Sequence, residues 1–434
     1  MTMPDDSFEQ TIRQQLRALV ERYFQAARSE DASGPVRIPL SVPSYGVEEV
    51  MEVLDSLLTT RVTMGSKVRE FEKRFAEYIG MRHAIMVNSG SSANLLALSM
   101  LTNPLLDGHL QPGDEIITPA VTWPTTVYPI IQTGALPVLV DVDLETFNVT
   151  VAQLERALTP RTRALMIVHL LGNPCPIRPI MEFARAHNLF VIEDCCEAHG
   201  AEVDGRRVGS FGHLATFSFY FSHHITTIEG GMLLMNDPDL AELARALRVF
   251  GWVRDLRNRD PLAREYADID ARYLFVNLGY NFRPTEIQGA FGIHQLARLE
   301  GFIEARRANA RYWTERLRAL ERYFLLPQEQ EGTRHVWLFY PLVVRPDAPF
   351  TRAELTAFLE SKSVETRPIM AGNIAEQPVM RHVPYRSVGS LPNARLIMRN
   401  GLLVGMHQGL AAREREAFVT YLEDFVSSRI VSRR

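Results

Sequence analysis

Four short segments of this chain combine residue types that could do chemistry. Ser89-Gly90-Ser91-Ser92-Ala93-Asn94 follows a strand-like run and opens a helical one. Small residues let the backbone approach an anion, and a helix N-terminus offers free N–H groups and a favourable dipole, so a phosphate is the natural guest. An ordinary serine N-cap is the competing reading. Val191-Ile192-Glu193-Asp194 ends an apolar strand, ahead of Cys195, Cys196, Glu197 and Ala198. A carboxylate at the carboxyl end of a buried strand points into the usual ligand crevice of an open α/β sheet. Asp194 could there pair with a protonated ring nitrogen, or simply cap the next helix. The stretch from Thr216 to Thr227 carries adjacent His223 and His224 and runs on to Glu229-Gly230-Gly231. Adjacent histidines point in different directions, and no spaced Cys/His set accompanies them, so no metal site is expected. One of the two could act as a general base, because imidazole titrates near neutral pH. Thr122-Trp123-Pro124-Thr125-Thr126 places a tryptophan just after a strand, where it could stack on a flat ring or fill a core.

The elements that must position these segments follow from periodicity. Residues 8–27 carry Phe8, Ile12, Leu16, Leu19, Val20 and Phe24 at helical spacing, and a polar, loop-like stretch from Ser29 to Pro35 follows. From about 45 to 260, strand-like runs at 84–87, 115–118, 136–140, 164–168, 189–192, 215–218 and 232–235 alternate with helical patterns at 92–100, 151–158 and 179–187. That rhythm predicts an α/β layered domain whose largely parallel sheet is covered on both faces. A helical, arginine-rich stretch over 285–323, a strand near 337–344 and helices near 352–361 and 412–427 predict a smaller α+β unit. The expected division is a helical arm over 1–40, a large domain over 41–290 and a small domain over 291–434.

Composition narrows the function classes. The chain has 434 residues, a formal net charge of -4, 46% hydrophobic and 23% charged residues, which is ordinary globular usage. Near-neutral charge gives no electrostatic case for nucleic acid or a membrane surface. No apolar run reaches the roughly 20 residues of a membrane span, and no signal segment follows the acidic start from Met1 to Asp6, so a cytoplasmic protein is expected. The cysteines are Cys175, Cys195 and Cys196, too few for a disulfide framework or for the four thiolates of an iron–sulfur cluster. Lys67, Lys73 and Lys362 are the only lysines, so any chemistry that needs a lysine has three candidates.

In this order and spacing the four segments together resemble the sugar-nucleotide aminotransferase family, the fold-type-I pyridoxal phosphate enzymes that act on keto-sugars. The resemblance runs from about residue 38 to the C-terminus. Phe71-Glu72, His169-Leu170-Leu171-Gly172-Asn173-Pro174 and Leu278-Gly279-Tyr280-Asn281-Phe282-Arg283 followed by Glu286, Gln288 and Ala290 also match it. It implies that Gly90, Ser91 and Ser218 hold the cofactor phosphate, that Trp123 stacks on the ring, and that Asp194 pairs with the ring nitrogen. It places Glu197 near the ring hydroxyl. Asn281 matches a residue given to the phosphate by the neighbouring subunit, which implies a homodimer with shared active sites.

One position departs from the aminotransferases. Five residues after Ser218 they carry the lysine that holds the cofactor covalently, and here that residue is His223. Imidazole forms no stable Schiff base with an aldehyde but can still take a proton, so the cofactor is expected as free pyridoxamine phosphate. The variant resembles the 3-dehydratases of 4-keto-6-deoxy sugar nucleotides, most nearly the GDP-4-keto-6-deoxymannose group. Tyr220 to His224, Ile225 to Thr227, Glu365-Thr366-Arg367-Pro368 and Ala371-Gly372-Asn373 fit that branch. The resemblance implies loss of the C3 hydroxyl after His223 moves a proton, release of ammonia, and glutamate as the donor that restores the amine. Glu365 and Arg367 are candidate substrate contacts. A related branch adds an iron–sulfur cluster and a reductase, but the stretch from Trp252 to Arg257 holds no cysteine, so neither is expected here. The alternatives are an aminotransferase working without its lysine, or a non-catalytic binder of cofactor or sugar nucleotide.

Overall fold

The computed structural model describes residues 6–31, 34–257 and 259–431; the acidic residues 1–5 at the start of the expected arm lie outside them. The large sheet has eight strands. Across it they run His83–Val87, Gly231–Met235, Leu214–Ser218, Phe190–Asp194, Thr162–Val168, Glu115–Pro119, Leu136–Val140 and Arg386–Ser387. Gly231–Met235 is antiparallel to both neighbours, and the other five pairings are parallel. The sheet is therefore largely parallel, as the alternating pattern predicts. Ile116, Ile117, Val138, Leu165, Met166, Val191 and Ile192 are fully buried because helices cover both faces, which is why these strands read as continuous apolar runs.

The helices begin and end where local chemistry allows. Ser89 caps Gly90–Leu101 by accepting the Ser92 N–H at 3.1 Å. Pro124 opens Pro124–Gln132, where its missing N–H costs nothing. Thr285 and Gln288 form a capping box at the start of the 32-residue helix Glu286–Leu317. That helix packs on Ser66–Ile79 and Val47–Leu58 and continues past residue 290 without a break. The C-terminal part adds a four-stranded sheet, Phe324–Leu325, Phe339–Val344, Gly401–Gly405 and Thr366–Arg367 in spatial order, and returns Arg386–Ser387 to the edge of the large sheet.

The N-terminal helix spans Asp6–Asp31, so Ser29, Glu30 and Asp31 extend the helix instead of starting a loop. It lies against Val47–Leu58 through Arg13–Asp55 at 2.8 Å and an Arg17–Glu48 pair, and Phe24 meets Tyr45 edge-on at 6.3 Å. Lys67 is engaged nearby, 2.8 Å from Glu52 and 2.7 Å from Asp55. None of the described helices is long and apolar enough to cross a membrane.

Candidate active site

The carboxyl ends of the central strands and the turns after them enclose a cavity of about 300 Å³. Gly90, Ser91, Trp123, Asp194, Glu197, Ser218 and His223 all line it. None of Lys67, Lys73 and Lys362 does.

One wall suits an anion. Gly90 and Ser91 are the first two residues of their helix, so their N–H groups have no intrahelical acceptor. Ser89 spends its own hydroxyl on the cap, while Gly90 and Ser91 keep N–H groups that an anion could take. A Cβ on Gly90 would sit 2.4 Å from the Ser218 Cβ and 2.9 Å from its Oγ. Only glycine lets the helix start this close to the strand end that carries Ser218.

Another wall holds a buried carboxylate that accepts from several donors. Asp194 Oδ2 accepts from Asn94 Nδ2 at 2.9 Å and from the Thr126 hydroxyl at 2.8 Å, while Oδ1 accepts the Cys196 N–H at 3.2 Å. The Thr216 hydroxyl donates to Asn94 Oδ1 at 2.6 Å, and the Thr122 hydroxyl to Thr126 at 2.8 Å. The carboxylate is thus fixed by its neighbours and not by a helix it caps. Asn94 and Thr126 are the functional positions that sequence reasoning passed over. Both lie inside quoted segments, but nothing local shows that Asn94 meets a residue 100 positions away.

Glu197 is a different kind of carboxyl. It is buried, and its Oε2 accepts the Leu171 N–H at 2.6 Å. Burial, with the Asp194 charge adding to it against that one bond, pushes its pKa up to about 8. At neutral pH it is mostly protonated and can donate a hydrogen bond. Trp123 is 55% exposed, at the mouth of the cavity, and is not a core residue.

The two histidines part company. His224 is fully buried and its Nε2 lies 2.9 Å from the Val336 carbonyl. His223 lines the cavity, with its main-chain N–H donating to the Tyr220 carbonyl at 3.0 Å and its ring Nδ1 buried without a partner. That leaves Nε2 as the ring nitrogen open to the cavity. Burial, and secondarily the Arg306 charge, lowers the His223 pKa to about 4, so the ring is neutral at physiological pH and keeps a lone pair free to take a proton.

The remaining predicted residues lie elsewhere. Asn281 is exposed in a second cavity with Arg248, Arg283 and Trp252, and its Oδ1 accepts from Arg283 at 3.0 Å. Glu365 and Arg367 line a separate cleft with Arg37 and Glu360. Glu365 accepts the Leu40 N–H at 3.2 Å and Arg367 donates to the Thr366 carbonyl at 2.7 Å. Within one chain, the structure does not bring these two together with His223. His169, Glu193 and Cys195 cluster closely, but the group is structural. His169 Nδ1 accepts the Cys175 N–H at 2.9 Å, so Nε2 carries the proton and donates to Glu193, leaving no lone pair for a metal.

The profile of the DegT/DnrJ/EryC1/StrS aminotransferase family matches residues 43–423. The chain belongs to that family. It is 36% identical to GDP-4-keto-6-deoxy-D-mannose 3-dehydratase of Yersinia pseudotuberculosis, over 86% of this chain and 95% of that one. It is 39% identical to dTDP-4-dehydro-2,6-dideoxy-D-glucose 3-dehydratase of Saccharopolyspora spinosa, over 88% of this chain and 84% of that one. Among solved structures it resembles GDP-4-keto-6-deoxymannose-3-dehydratase with a trapped PLP-glutamate geminal diamine. The TM-score is 0.84 at 34% identity, covering 89% of this chain and all of that one. The fold is accordingly the fold-type-I, aspartate aminotransferase-like architecture, with its largely parallel sheet and smaller C-terminal unit.

Proposed function

We propose that this protein is a pyridoxamine phosphate-dependent 3-dehydratase of a nucleotide-linked 4-keto-6-deoxyhexose. The observation that carries the reading is His223, a neutral imidazole in a family cavity whose walls contain no lysine.

The cavity fits the cofactor on its own terms. Unpaired N–H groups and two hydroxyls at Gly90, Ser91 and Ser218 suit a phosphate, and the tightly held Asp194 carboxylate suits a cationic ring nitrogen. When bound, the cofactor supplies an amine and an electron sink. The chain's residues do the rest. Asp194 keeps the ring nitrogen protonated, and Asn94 and Thr126 keep Asp194 aimed. Protonated Glu197 donates to the ring oxygen. Trp123 covers the ring's face at the cavity mouth. His223 Nε2 takes a proton, and the resulting imidazolium returns it to the departing C3 hydroxyl. Burial disfavours that imidazolium, which drives the proton onward.

Glutamate restores the amine in this scheme, in keeping with the glutamate adduct of the similar solved enzyme. Asn281 lies outside its own chain's cavity, which supports the reading that it serves the phosphate of a second copy in a homodimer.

The test is product identification by mass spectrometry and NMR. Purified protein is mixed with pyridoxamine phosphate, glutamate and GDP-, CDP- or dTDP-linked 4-keto-6-deoxyhexoses. A 3-deoxy-4-keto product supports the proposal. A 4-amino sugar as the main product replaces it with the aminotransferase reading, and binding without turnover replaces it with that of a non-catalytic binder.

A further inference from the structure

Behind His223 lies a row of imidazoles that the proposed reaction does not use. His199 is fully buried in a cage of Phe75, Phe217 and Phe219, and neither of its ring nitrogens has a partner of hydrogen-bonding geometry. Its ring centre lies 6.0 Å from that of His223 and 5.6 Å from that of His224. The Nδ1 atoms of His223 and His224 are likewise buried without partners. An unpaired buried polar nitrogen is costly, about 1–3 kcal/mol each, and four of them sit side by side.

We infer that His223, His199 and His224 form a directional hydrogen-bonded row in which His199 is a positioning residue for His223. The donor directions follow from one fixed end. The Val336 carbonyl can only accept, so His224 Nε2 carries the proton and His224 Nδ1 is an acceptor. His199 donates to that Nδ1 with one nitrogen and accepts with the other. Its donor is the Nδ1–H of His223, which leaves the Nε2 lone pair facing the cavity. All four unpaired nitrogens are satisfied by this single arrangement. The ring centres, 6.0 and 5.6 Å apart, are within about 1 Å of the separation that a linear N–H···N bond between two imidazoles requires, so an approach of the rings completes the row. The Ser218 carbonyl near His199 is the one competing acceptor.

The row needs neutral rings, and its surroundings provide for that. Arg306, from the helix Glu286–Leu317, is buried and donates to the Trp337, Leu338 and Met406 carbonyls, with no carboxylate paired to it among the described residues. This cation disfavours protonation of His199, His223 and His224 alike. The other titratable groups around His223 are Tyr220, packed edge-on against it, and Asp194, Cys196, Glu197 and Glu229 around the cavity. None of them reaches its buried Nδ1. A neutral imidazole can act as a base from Nε2 only in the Nδ1–H tautomer, so fixing the tautomer decides whether the base works.

The inference rests on His223 as the proton-moving group, and the test separates the two. Nitrogen-15 NMR of the histidine side chains in the full-length protein reads tautomers without any turnover. The wild type is expected to show His223 as the Nδ1–H form and His224 as the Nε2–H form. His199→Phe, which fits the aromatic cage, is expected to release His223 to a tautomer mixture. It is also expected to lower kcat at least tenfold with KM within twofold, and to leave pyridoxamine phosphate binding intact. If His199→Phe does not fold, His224→Leu breaks the row at its far end and is expected to shift the same signals more weakly. A wild-type His223 in the Nε2–H form, or an unchanged tautomer and kcat in the folded variants, overturns the row. A wild type that makes no 3-deoxy product, with the expected tautomers present, overturns the catalytic reading and leaves the row standing.

Discussion

Glu197 allows a stability prediction with its magnitude set by the structure. Its carboxyl is buried, with a single main-chain donor at Leu171, and its pKa stands at about 8 against an ordinary value of 4.5. The folded protein therefore keeps a proton that the unfolded chain surrenders. For an acid raised in this way, folding stability is greatest below about pH 4.5 and declines as pH climbs to about 8, where the loss levels off. At 1.36 kcal/mol per unit, the window is worth at most about 5 kcal/mol, of which about 3 kcal/mol is lost by pH 7. Glu197→Gln keeps an oxygen for the Leu171 N–H but removes the titration. Urea unfolding of both cofactor-free proteins at one concentration, at several pH values from 5 to 8, measures the difference directly. The variant should gain on the wild type steadily as pH rises, by several kcal/mol across the range. Parallel stability curves for the two proteins would refute a protonated Glu197 and with it the role of hydrogen-bond donor to the ring.

Other perturbations separate the parts of the site. His223→Asn should keep the fold and pyridoxamine phosphate binding while lowering kcat by roughly 10²–10⁴, the usual worth of a general base; steady-state kinetics reads this. His223→Lys should create a borohydride-reducible covalent link to pyridoxal phosphate, detected as a mass increase of the protein. Asn94→Ala removes a donor from Asp194, and a hydrogen bond to a charged group is worth about 1.5–3 kcal/mol. Cofactor affinity, followed by equilibrium dialysis, should therefore fall by one to two orders of magnitude. Gly90→Ala drives a Cβ into Ser218 and should cost about 1–3 kcal/mol of stability. Adding Ser218→Gly removes the Cβ and Oγ contacts but leaves the 3.0 Å approach to the residue 218 Cα, so it should restore part of the stability but not the phosphate affinity, as thermal unfolding and dialysis would show.

Much of this architecture was legible in the chain because its signals are local. Val191, Ile192 and the other buried strand residues form apolar runs because helices cover both faces, and Asp194 stands out at the carboxyl end of such a run, after Glu193. Leu136–Val140 and Arg352–Ser361 lie where periodicity predicts them. The strand Gly231–Met235 lies where the sequence puts it, after the reversal its glycines allow, whereas the two-residue edge strand Arg386–Ser387 leaves no periodic trace. Within the site, residue type pointed to Asp194 and His223, but not to the donors that aim Asp194, because the Asn94 and Thr126 contacts are made only by the folded sheet. Residue type alone could not separate His223 from His224; the five-residue spacing from Ser218 did so through the family resemblance, and folding then gives the two rings different neighbours. Glu365 and Arg367, read from the sequence as substrate contacts, line another cleft within one chain, a placement their sequence context does not reveal.

The central claim is that His223 turns an amino-transfer scaffold toward dehydration, and the fate of nitrogen tests it most directly. With glutamate labelled with nitrogen-15 and a 4-keto-6-deoxy sugar nucleotide as substrate, the account predicts label in free ammonium and a nitrogen-free sugar lacking its C3 hydroxyl. Label retained at C4 of a sugar that keeps its C3 hydroxyl would contradict it.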